Sequence, residues 1–368
     1  MYLRQIVGFF FFSTLLLAGP ITPARYEIPK KMFLDGGGVV RLTSGEEVRM
    51  DTTAELLPVF EDLMPGANWA HPARVLLLDK TGNIVKEKKV QFPPVDLEIY
   101  QLLSGPEVRK EEGVPFNLQT FKGAMKVSRP DEHYALLING QADRRHWNDF
   151  SFLYRVLTQV YGYDQKNIFV ADGKFKTTDN DLDGDGDTDI QYDSDLASMH
   201  ALMEQMKTTL PANAHFLIAV NDHGVSVGNE SAIVLKDGNL MASEFQKWLG
   251  SVKVNSILSI FEQCYSGGFV RPSVGQNRVA MSAATNNEYS WASMDLKFDE
   301  FIYHAISAFA KQKHDGTPVN ADLDKDGFIS AREAYTYAVG TDARNESPVL
   351  ESHQNSGQAF GLGVAKRK

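Results

Sequence analysis

The pattern of hydrophobic residues after His133 constrains the fold more than any other feature of the sequence. Four short apolar runs, at residues 134–138, 167–171, 216–220 and 257–261, each have the length of a buried strand. Between them, apolar residues recur at helical spacing around residues 150–161, 196–206 and 245–249. Strands that are joined through helices form right-handed crossovers. We therefore predict an α/β fold with a mainly parallel sheet that is covered on both faces.

The N-terminus is typical of a secretory signal peptide. Residues 1–4 carry one positive charge, residues 6–17 are mostly apolar, and small residues and prolines follow up to Ala24. The alternative is an uncleaved membrane anchor, although the apolar run is shorter than the roughly 20 residues that a spanning helix needs. We expect residues 1–24 to be a signal peptide, with no stable membrane span after cleavage and a secreted or periplasmic location.

The chain has 368 residues and a single cysteine, Cys264. Exported proteins usually pair their cysteines in disulfides, and a lone cysteine cannot form an internal bridge. Cys264 is therefore a buried apolar residue, an intermolecular link or a reactive thiol. The residues around it in the sequence are needed to distinguish these three alternatives.

Composition limits the partners, and turn residues divide the chain. The 47 acidic and 37 basic residues give a net charge of −10, which argues against nucleic acid as the main partner. Residues 25–127 contain short β-type runs separated by turn residues, which predicts a small β-rich N-terminal domain or pro-segment. It ends in a proline-containing linker with a charged run at residues 109–112, and residues 128–368 then form the α/β domain.

Two of the predicted strands end in residue types that can carry chemistry. Strand 216–220 runs into His223 and Gly224, and strand 257–261 runs into Cys264. Parallel neighbouring strands end at the same edge of a sheet, where sites form. A histidine can activate a thiol near neutral pH, and glycine lets backbone N–H groups approach a developing oxyanion. Taken alone, each feature has an ordinary explanation, either a buried core histidine or a common glycine turn. Taken together, the features favour a Cys-His site.

Four segments stand in a fixed order along the α/β domain. They are Asp143-Arg144-Arg145-His146-Trp147-Asn148-Asp149, Asp222-His223-Gly224, Glu262-Gln263-Cys264-Tyr265-Ser266-Gly267, and Ser282-Ala283-Ala284 with residues 288–291. In this order they resemble the legumain-type cysteine peptidases of the caspase-like fold, a group that includes the catalytic subunit of the GPI transamidase. The resemblance implies a three-layer α/β sandwich in which Cys264 is the nucleophile, His223 is its acid-base partner, and the amides of Gly224 and Cys264 donate to the oxyanion.

The same resemblance implies a primary specificity pocket. Its lining residues would be Arg145, Glu262, Ser290 and Asp299. His146 would buttress the pocket. In the family an asparagine that orients the histidine usually occupies the place of Asp143, so this sequence departs from the pattern there.

The charges of this pocket have a physical interpretation of their own. An arginine alone favours an acidic side chain, and carboxylates alone favour a basic one. One guanidinium beside two carboxylates offers donors and acceptors together, which suits a carboxamide. We therefore expect cleavage after Asn, with Asp tolerated when a pocket acid is protonated at low pH. The alternative is that Arg145 and Glu262 form a structural ion pair.

Residues 322–333 match the calcium-binding loop of an EF-hand. Acidic or hydroxyl side chains stand at positions 1, 3, 5, 9 and 12 of the loop, with glycine at position 6. The predicted ligands are Asp322, Asp324, Asp326, the carbonyl of Phe328, Ser330 and Glu333. Apolar residues at helical spacing precede and follow the loop, as an EF-hand requires. A solvated acidic turn is the alternative.

A second acidic loop, residues 179–195, is less regular. Eight aspartates alternate around two glycines, and such crowded like charges repel one another unless cations bind. The predicted calcium ligands are Asp181, Asp183, Asp185, Asp187 and Asp189. Tyr192 stands where an EF-hand has its bidentate acid, and a disordered loop is the alternative. This loop follows a predicted strand, so we expect it at the same edge as Cys264, where Ca²⁺ would order it and complete the substrate cleft.

These features lead to one prediction and two alternatives. The prediction is a secreted, calcium-binding cysteine endopeptidase that acts on a peptide or protein through an acyl-enzyme. A transpeptidase with the same dyad is the first alternative, because an incoming amine can replace water. A non-catalytic, calcium-dependent binding module of the same fold is the second. The oligomeric state does not follow from the sequence.

Overall fold

The computed structural model describes residues 22–42, 45–51, 55–67, 71–94, 97–105, 113–119, 125–141, 143–344, 346–354 and 356–363. Residues 1–21 of the expected signal peptide and residues 106–112 of the expected linker lie outside this part of the chain. The first strand begins at Ala24, the last residue assigned to the signal peptide. Within the described part, no helix has both the length and the apolar character needed to cross a membrane.

Antiparallel strands dominate the N-terminal part. Its elements are β1 (Ala24–Glu27), α1 (Lys30–Asp35), β2 (Val39–Arg41), β3 (Glu47–Arg49), β4 (Leu57–Asp62), β5 (Ala73–Leu78), β6 (Ile84–Val90) and β7 (Gln101–Ser104). Five strands form one sheet in the order β6-β5-β4-β1-β7, and β2 pairs with β3. The strand pairs of these two sheets are antiparallel. Tyr26, Phe33 and Phe60 are buried in a core of this unit's own.

The C-terminal part alternates strands and helices. Its elements are β8 (His133–Asn139), α2 (Arg144–Arg155), β9 (Ile168–Asp172), α3 (Leu196–Thr209), β10 (His215–Val220), β11 (Gly224–Val227), β12 (Glu230–Val234), β13 (Asn239–Met241), α4 (Ala242–Ser251), β14 (Ser256–Phe261), α5 (Gly267–Ser273), β15 (Arg278–Ser282), α6 (Glu300–Ala310), α7 (Ala331–Thr341), β16 (Val349–Ser352) and α8 (Ser356–Ala359). A π-helical turn at Val156–Tyr161 extends α2. Single 3-10 turns occupy Leu97–Ile99, Pro130–Glu132, Gln165–Asn167 and Phe175–Thr177.

The central sheet has six strands in the order β16-β15-β14-β10-β8-β9. Five of them are parallel and only β16, at one edge, runs antiparallel. All four strands predicted from the apolar runs form and join this sheet, which confirms the mainly parallel α/β prediction. Strand β15 was not predicted, because its short run of apolar residues starts directly after a turn and carries no clear helical pattern before it.

Both faces of the sheet are covered, as predicted. On β10, Leu217 and Ala219 pack in the core beneath α2, α6 and α7, whereas Phe216, Ile218 and Val220 pack in the core beneath α3 and α4. This alternation follows from the two-residue period of a strand. The result is three layers, with the carboxyl ends of the parallel strands at one edge.

Candidate active site

Cys264 and His223 lie at the ends of two adjacent parallel strands. Val220 at the end of β10 is paired with Phe261 at the end of β14, and each reactive residue is the third one after its strand. The backbone of Gly224 lies directly against the carbonyl of Cys264, so a side chain at position 224 would collide with it. The structure thus brings together the two residues that the sequence placed at one edge, and glycine at 224 permits their close approach.

The chain turns sharply at Cys264. Tyr265 has a left-handed backbone with φ 61°, and its amide donates to the carbonyl of Glu288 at 2.8 Å. Such a conformation is uncommon for a tyrosine and occurs where surrounding contacts enforce it. The turn directs the chain from β14 into α5 and presents Cys264 between strand and helix. Its thiol faces the carbonyl of Ser290, 3.9 Å from the sulfur.

Burial sets the protonation of both reactive groups. Cys264 is fully buried and His223 is 4% exposed. Burial raises the pKa of the Cys264 thiol to about 12, because a thiolate loses its hydration there. Burial likewise lowers the pKa of His223 to about 3, against the opposing pull of Asp143, and Arg145 lowers it further. At neutral pH the pair is therefore a thiol and a neutral imidazole.

Asp143 and His146 flank the His223 ring. The carboxylate of Asp143 lies 3.5 Å from Nε2 of His223, so this carboxylate faces the histidine. His146 meets the His223 ring edge to face at 4.8 Å. Its Nδ1 accepts from the Asp143 amide at 3.3 Å, which leaves the proton on Nε2, 3.4 Å from the Asp299 carboxylate. The sequence-predicted buttress thus contacts both the dyad and the pocket.

Asp222 holds together the loops that carry the site. Its carboxylate accepts from the backbone N–H groups of Gly140 at 2.6 Å, Gln141 at 3.1 Å and His223 at 2.6 Å. These contacts tie the end of β8 to the end of β10. Asp222 stands in a sequence motif, but its role could not be predicted, because two of the amides it binds are 81 and 82 residues away.

Arg145 is the cation of the predicted pocket. It lies on the first turn of α2, where its Nε donates to Asp299 at 2.9 Å and its Nη1 is 2.5 Å from Asp143. Ser290 and Asp299 are fully buried nearby. The ion pairs of Arg145 are therefore with Asp143 and Asp299 rather than with Glu262, which was the partner in the structural alternative.

Glu262 belongs to a group of buried acids. Its Oε2 accepts from the Ile302 amide at 2.8 Å, and its Oε1 has no hydrogen-bond partner within the described residues. Burial raises the pKa of Glu262 well above its usual value, and the charges of Glu346, Asp299 and Asp149 raise it further. No sequence signal places Asp149 or Glu346 beside the pocket, so neither was given a role in advance. A protonated Glu262 is a hydrogen-bond donor as well as an acceptor.

One group of possible metal ligands lies in the site itself. The ligand atoms of Asp143, His146 and His223 lie within 4.8 Å of one another. The guanidinium of Arg145 already pairs with Asp143, and a metal cation beside it would be repelled. We therefore assign no metal to these residues.

The loop after β9 gathers some of its predicted calcium ligands. The carboxylates of Asp181, Asp183 and Asp189 converge within 4.8 Å, and Oδ1 of Asp183 is buried without a partner in the described chain. Asp185 and Asp187 are exposed and do not join that group. The buried oxygen and the hard carboxylate set fit Ca²⁺. The loop lies against α2, where Trp147 Nε1 donates to the Asp179 carbonyl at 2.9 Å.

The EF-hand-like loop is assembled only in part. Its opening carboxylates, Asp322, Asp324 and Asp326, converge within 4.8 Å, and α6 and α7 flank it. Ser330 and Glu333 instead form a capping box at the start of α7. Both oxygens of Glu333 accept backbone or hydroxyl protons of the loop, and Glu333 does not join the converging group. Phe328 supplies an amide to Asp326 at 2.8 Å.

Lys311 compensates part of this negative charge. Its ammonium lies 2.8 Å from Asp322 Oδ2 and 3.1 Å from the carbonyl of Gly327. The other oxygen of Asp322 is buried without a partner in the described chain. A cation of the protein's own thus contacts the cluster that Ca²⁺ would fill, and the donor set fits Ca²⁺ only if Glu333 or Lys311 rearranges.

Two of the solved structures that are similar to this chain have low sequence identity with it. Caspase-1 from Spodoptera frugiperda is 10% identical, with 65% of this chain and 94% of that chain covered and a TM-score of 0.39. A protein from Geobacter sulfurreducens is 12% identical, with 64% of this chain and 100% of that chain covered and a TM-score of 0.41. No family model matches the sequence, and no curated protein does.

Proposed function

We propose that the protein is a cysteine endopeptidase of the caspase-like fold, with Cys264 as nucleophile and His223 as its acid-base partner. The observation that carries this proposal is that Cys264 and His223 follow the ends of the adjacent parallel strands β14 and β10, with the Gly224 backbone against the Cys264 carbonyl. Three layers around a mainly parallel sheet agree with that fold.

The chemistry is acyl transfer. The thiol proton of Cys264 passes to the His223 imidazole, and the sulfur attacks the scissile carbonyl. The amides of Gly224 and Cys264 would donate to the oxyanion that forms. His223 then protonates the leaving amine as the C–N bond breaks, which leaves a thioester. Water, deprotonated by His223, releases the acid and restores the thiol.

Specificity for Asn is part of the same proposal. Arg145 offers N–H donors to the carboxamide oxygen, while Asp299 and Glu262 offer acceptors to its NH₂ group. A carboxylate substrate would meet Arg145 favourably but would be repelled by the acids unless one is protonated. We expect Asn to be preferred, Asp to be cleaved better at low pH, and Arg to be rejected.

Peptides that differ only at the residue before the scissile bond test this assignment. With Asn, Asp and Arg at that position, kcat/KM should be highest for Asn, by about tenfold or more over Arg, since one buried charged contact changes the barrier by about 1.4 kcal/mol or more. Arg145→Ala should reduce the preference for Asn. A preference for Arg in the wild-type enzyme would refute the pocket assignment and leave the dyad intact.

We further propose that the protein is exported and binds Ca²⁺ at the loop after β9. Asp181, Asp183 and Asp189 would hold the ion, and α2, on which this loop packs, carries Arg145. The chemistry that Ca²⁺ supplies is neutralisation of the crowded carboxylates, which orders the loop. The EF-hand-like loop is a second proposed site. Extracellular calcium is high enough to fill sites with Kd of about 10⁻⁴ to 10⁻³ M.

A further inference from the structure

A short segment of the N-terminal unit lies against the candidate active site. Residues 63–67, here called the docking segment, follow β4 and include buried Pro65, Gly66 and Ala67. The Ala292 amide donates to the Gly66 carbonyl at 2.7 Å, and Ala67 forms an antiparallel bridge with Trp291. The N-terminal and C-terminal parts thus meet through backbone pairing.

This pairing is next to the nucleophile. Trp291 directly follows Ser290, whose carbonyl is the one that faces the Cys264 sulfur. On its other side, Ala292 bridges antiparallel to Asp299 of the pocket. Trp291 and Ala292 therefore form a short strand with one edge against the pocket. The docking segment occupies the opposite edge, where an extended peptide would add as a strand.

The position of Gly66 in this contact favours a residue without a side chain. Its backbone has φ +89°, which favours glycine, and an added Cβ would lie 3.1 Å from Leu296 Cδ2, 3.6 Å from Arg344 Nη2 and 3.7 Å from the Cβ of Ala292. All three neighbours belong to the C-terminal part. A side chain at this position would therefore meet both unfavourable backbone geometry and the surface of the other unit.

Further contacts hold the docking segment in place. His71 Nε2 and Asp62 Oδ1 are 2.9 Å apart and both residues are buried, and the same oxygen accepts from the Met64 amide at 2.9 Å. The Leu63 amide donates to the Pro72 carbonyl at 3.2 Å. The charge of His71 is among those that lower the pKa of His223. The hydrogen bonds of Asp62 and Leu63 fix the docking segment at the end of β4.

We propose that the docking segment is an internal inhibitor that occupies the peptide-binding edge beside Cys264 and has to leave before a substrate can bind. This proposal rests on the proposed function, because it takes Trp291 and Ala292 as the strand on which a peptide pairs. Departure of the segment would open this edge beside the buried Cys264.

Reactivity of the thiol tests this proposal without requiring peptidase activity. Cys264 is the only cysteine, so iodoacetamide uptake by the native full-length protein, followed by intact mass, reports on it alone. Gly66→Val is the test variant. Gly82→Val is the matched control, since Gly82 belongs to the same unit and has φ +87°, but a Cβ added there would meet no atom of the described chain within 4 Å.

Comparison of the two valine variants separates the effect of a steric clash at position 66 from the effect of backbone strain. Gly66→Val should label about tenfold faster or more than wild type, because labelling follows the population in which the segment has left. Gly82→Val should label at the wild-type rate. Gly66→Ala, which is smaller, should be intermediate and replaces Gly66→Val if circular dichroism shows that the valine variant is unfolded. Equal rates for wild type and a folded Gly66 variant would overturn the proposal.

Peptide turnover distinguishes this outcome from failure of the proposed function. Faster labelling of Gly66→Val without any peptide cleavage would support the proposal that the docking segment covers this edge and would refute the proposed peptidase function. Cleavage by wild type and Gly66→Val at equal rates, with equal labelling, would keep the peptidase and refute the internal inhibitor.

Discussion

A neutral thiol beside a neutral imidazole is the resting form of the dyad in the described structure. The pKa values of about 12 for Cys264 and about 3 for His223 both follow mainly from burial. Access of water or substrate to the site reduces that burial and moves the two values towards one another, which makes proton transfer from sulfur to imidazole easier. Exposure of the site would thus favour activation of Cys264, the proposed nucleophile.

The second feature at the residue scale is the group of buried acids that includes Glu262 and Glu346. Burial, together with Asp342, raises the pKa of Glu346 well above its usual value. Its Oε1 accepts from the Trp291 amide at 2.5 Å, while Oε2 has no partner in the described chain. A carboxyl whose folded pKa is raised stabilises the fold at low pH, and this contribution is lost as the pH rises through the folded value.

Glu346→Gln should therefore stabilise the protein increasingly as the pH rises above about 4.5, the ordinary range of a glutamate, because glutamine keeps the acceptor for Trp291 and carries no charge. Until the folded pKa is reached, each pH unit adds up to about 1.4 kcal/mol to the difference in unfolding free energy. Denaturant unfolding at pH 5 and pH 8 measures it. Glu351→Gln, at the exposed residue of β16, controls for loss of a surface charge, and a pH-independent difference for Glu346→Gln would contradict the assignment.

Helix α2 is the element that links the candidate pocket to the acidic loop. Arg145 and His146 on its first turn face the pocket and dyad. On other positions of the same helix, Arg144 pairs with Asp179, and Ser151 donates to the Leu182 carbonyl at 2.5 Å. An ion that orders residues 179–189 would therefore stabilise the helix that positions Arg145.

Calcium removal should lower the melting temperature and the peptidase activity together. Chelation of Ca²⁺ that was present at about ten times its Kd removes about 1.4 kcal/mol of stabilisation, which corresponds to a shift of about 3 to 6 °C for a domain of about 150 to 250 residues. Calorimetry with and without Ca²⁺ measures the shift. Asp183→Asn should abolish much of it, whereas Asp187→Asn, whose exposed side chain lies outside the converging group, should retain it.

Two outcomes separate the roles of the ion. A calcium-dependent melting temperature with unchanged activity in chelator would restrict the ion to a structural role. A melting temperature that does not respond to Ca²⁺ in wild type would contradict the site itself.

At the scale of the whole molecule, local sequence patterns predict the central sheet, and long-range contacts are what they miss. The four apolar runs and the helical spacing between them were sufficient for four of the five parallel strands, because each pattern is set within about ten residues, but they missed β15. The strand ends also placed Cys264 and His223 correctly at one edge. The geometry of the acidic loops was less predictable, since Glu333 fits a ligand position and a helix cap equally well.

The contact between the two units could not be read from the sequence. Gly66 and Ala292 are hydrogen-bonded although they are far apart in the sequence. A glycine in a turn does not indicate which residue it will contact. Asp149 and Glu346 were given no role for the same reason, because buried acids are recognised by their surroundings and not by spacing. The unit predicted as a β-rich domain or pro-segment thus contacts the strand beside the site through Gly66 and Ala67, which no local pattern distinguishes.

Covalent capture of Cys264 by a peptide that carries an electrophile after Asn tests the central claim most directly. With Ca²⁺ present, and in wild type and Gly66→Val alike, intact mass should show a single adduct that Cys264→Ala abolishes. The rate should exceed that of the matching Arg peptide about tenfold or more and should fall at least as much in His223→Ala. Equal rates for both peptides, unaffected by loss of His223 in folded protein, would contradict the account.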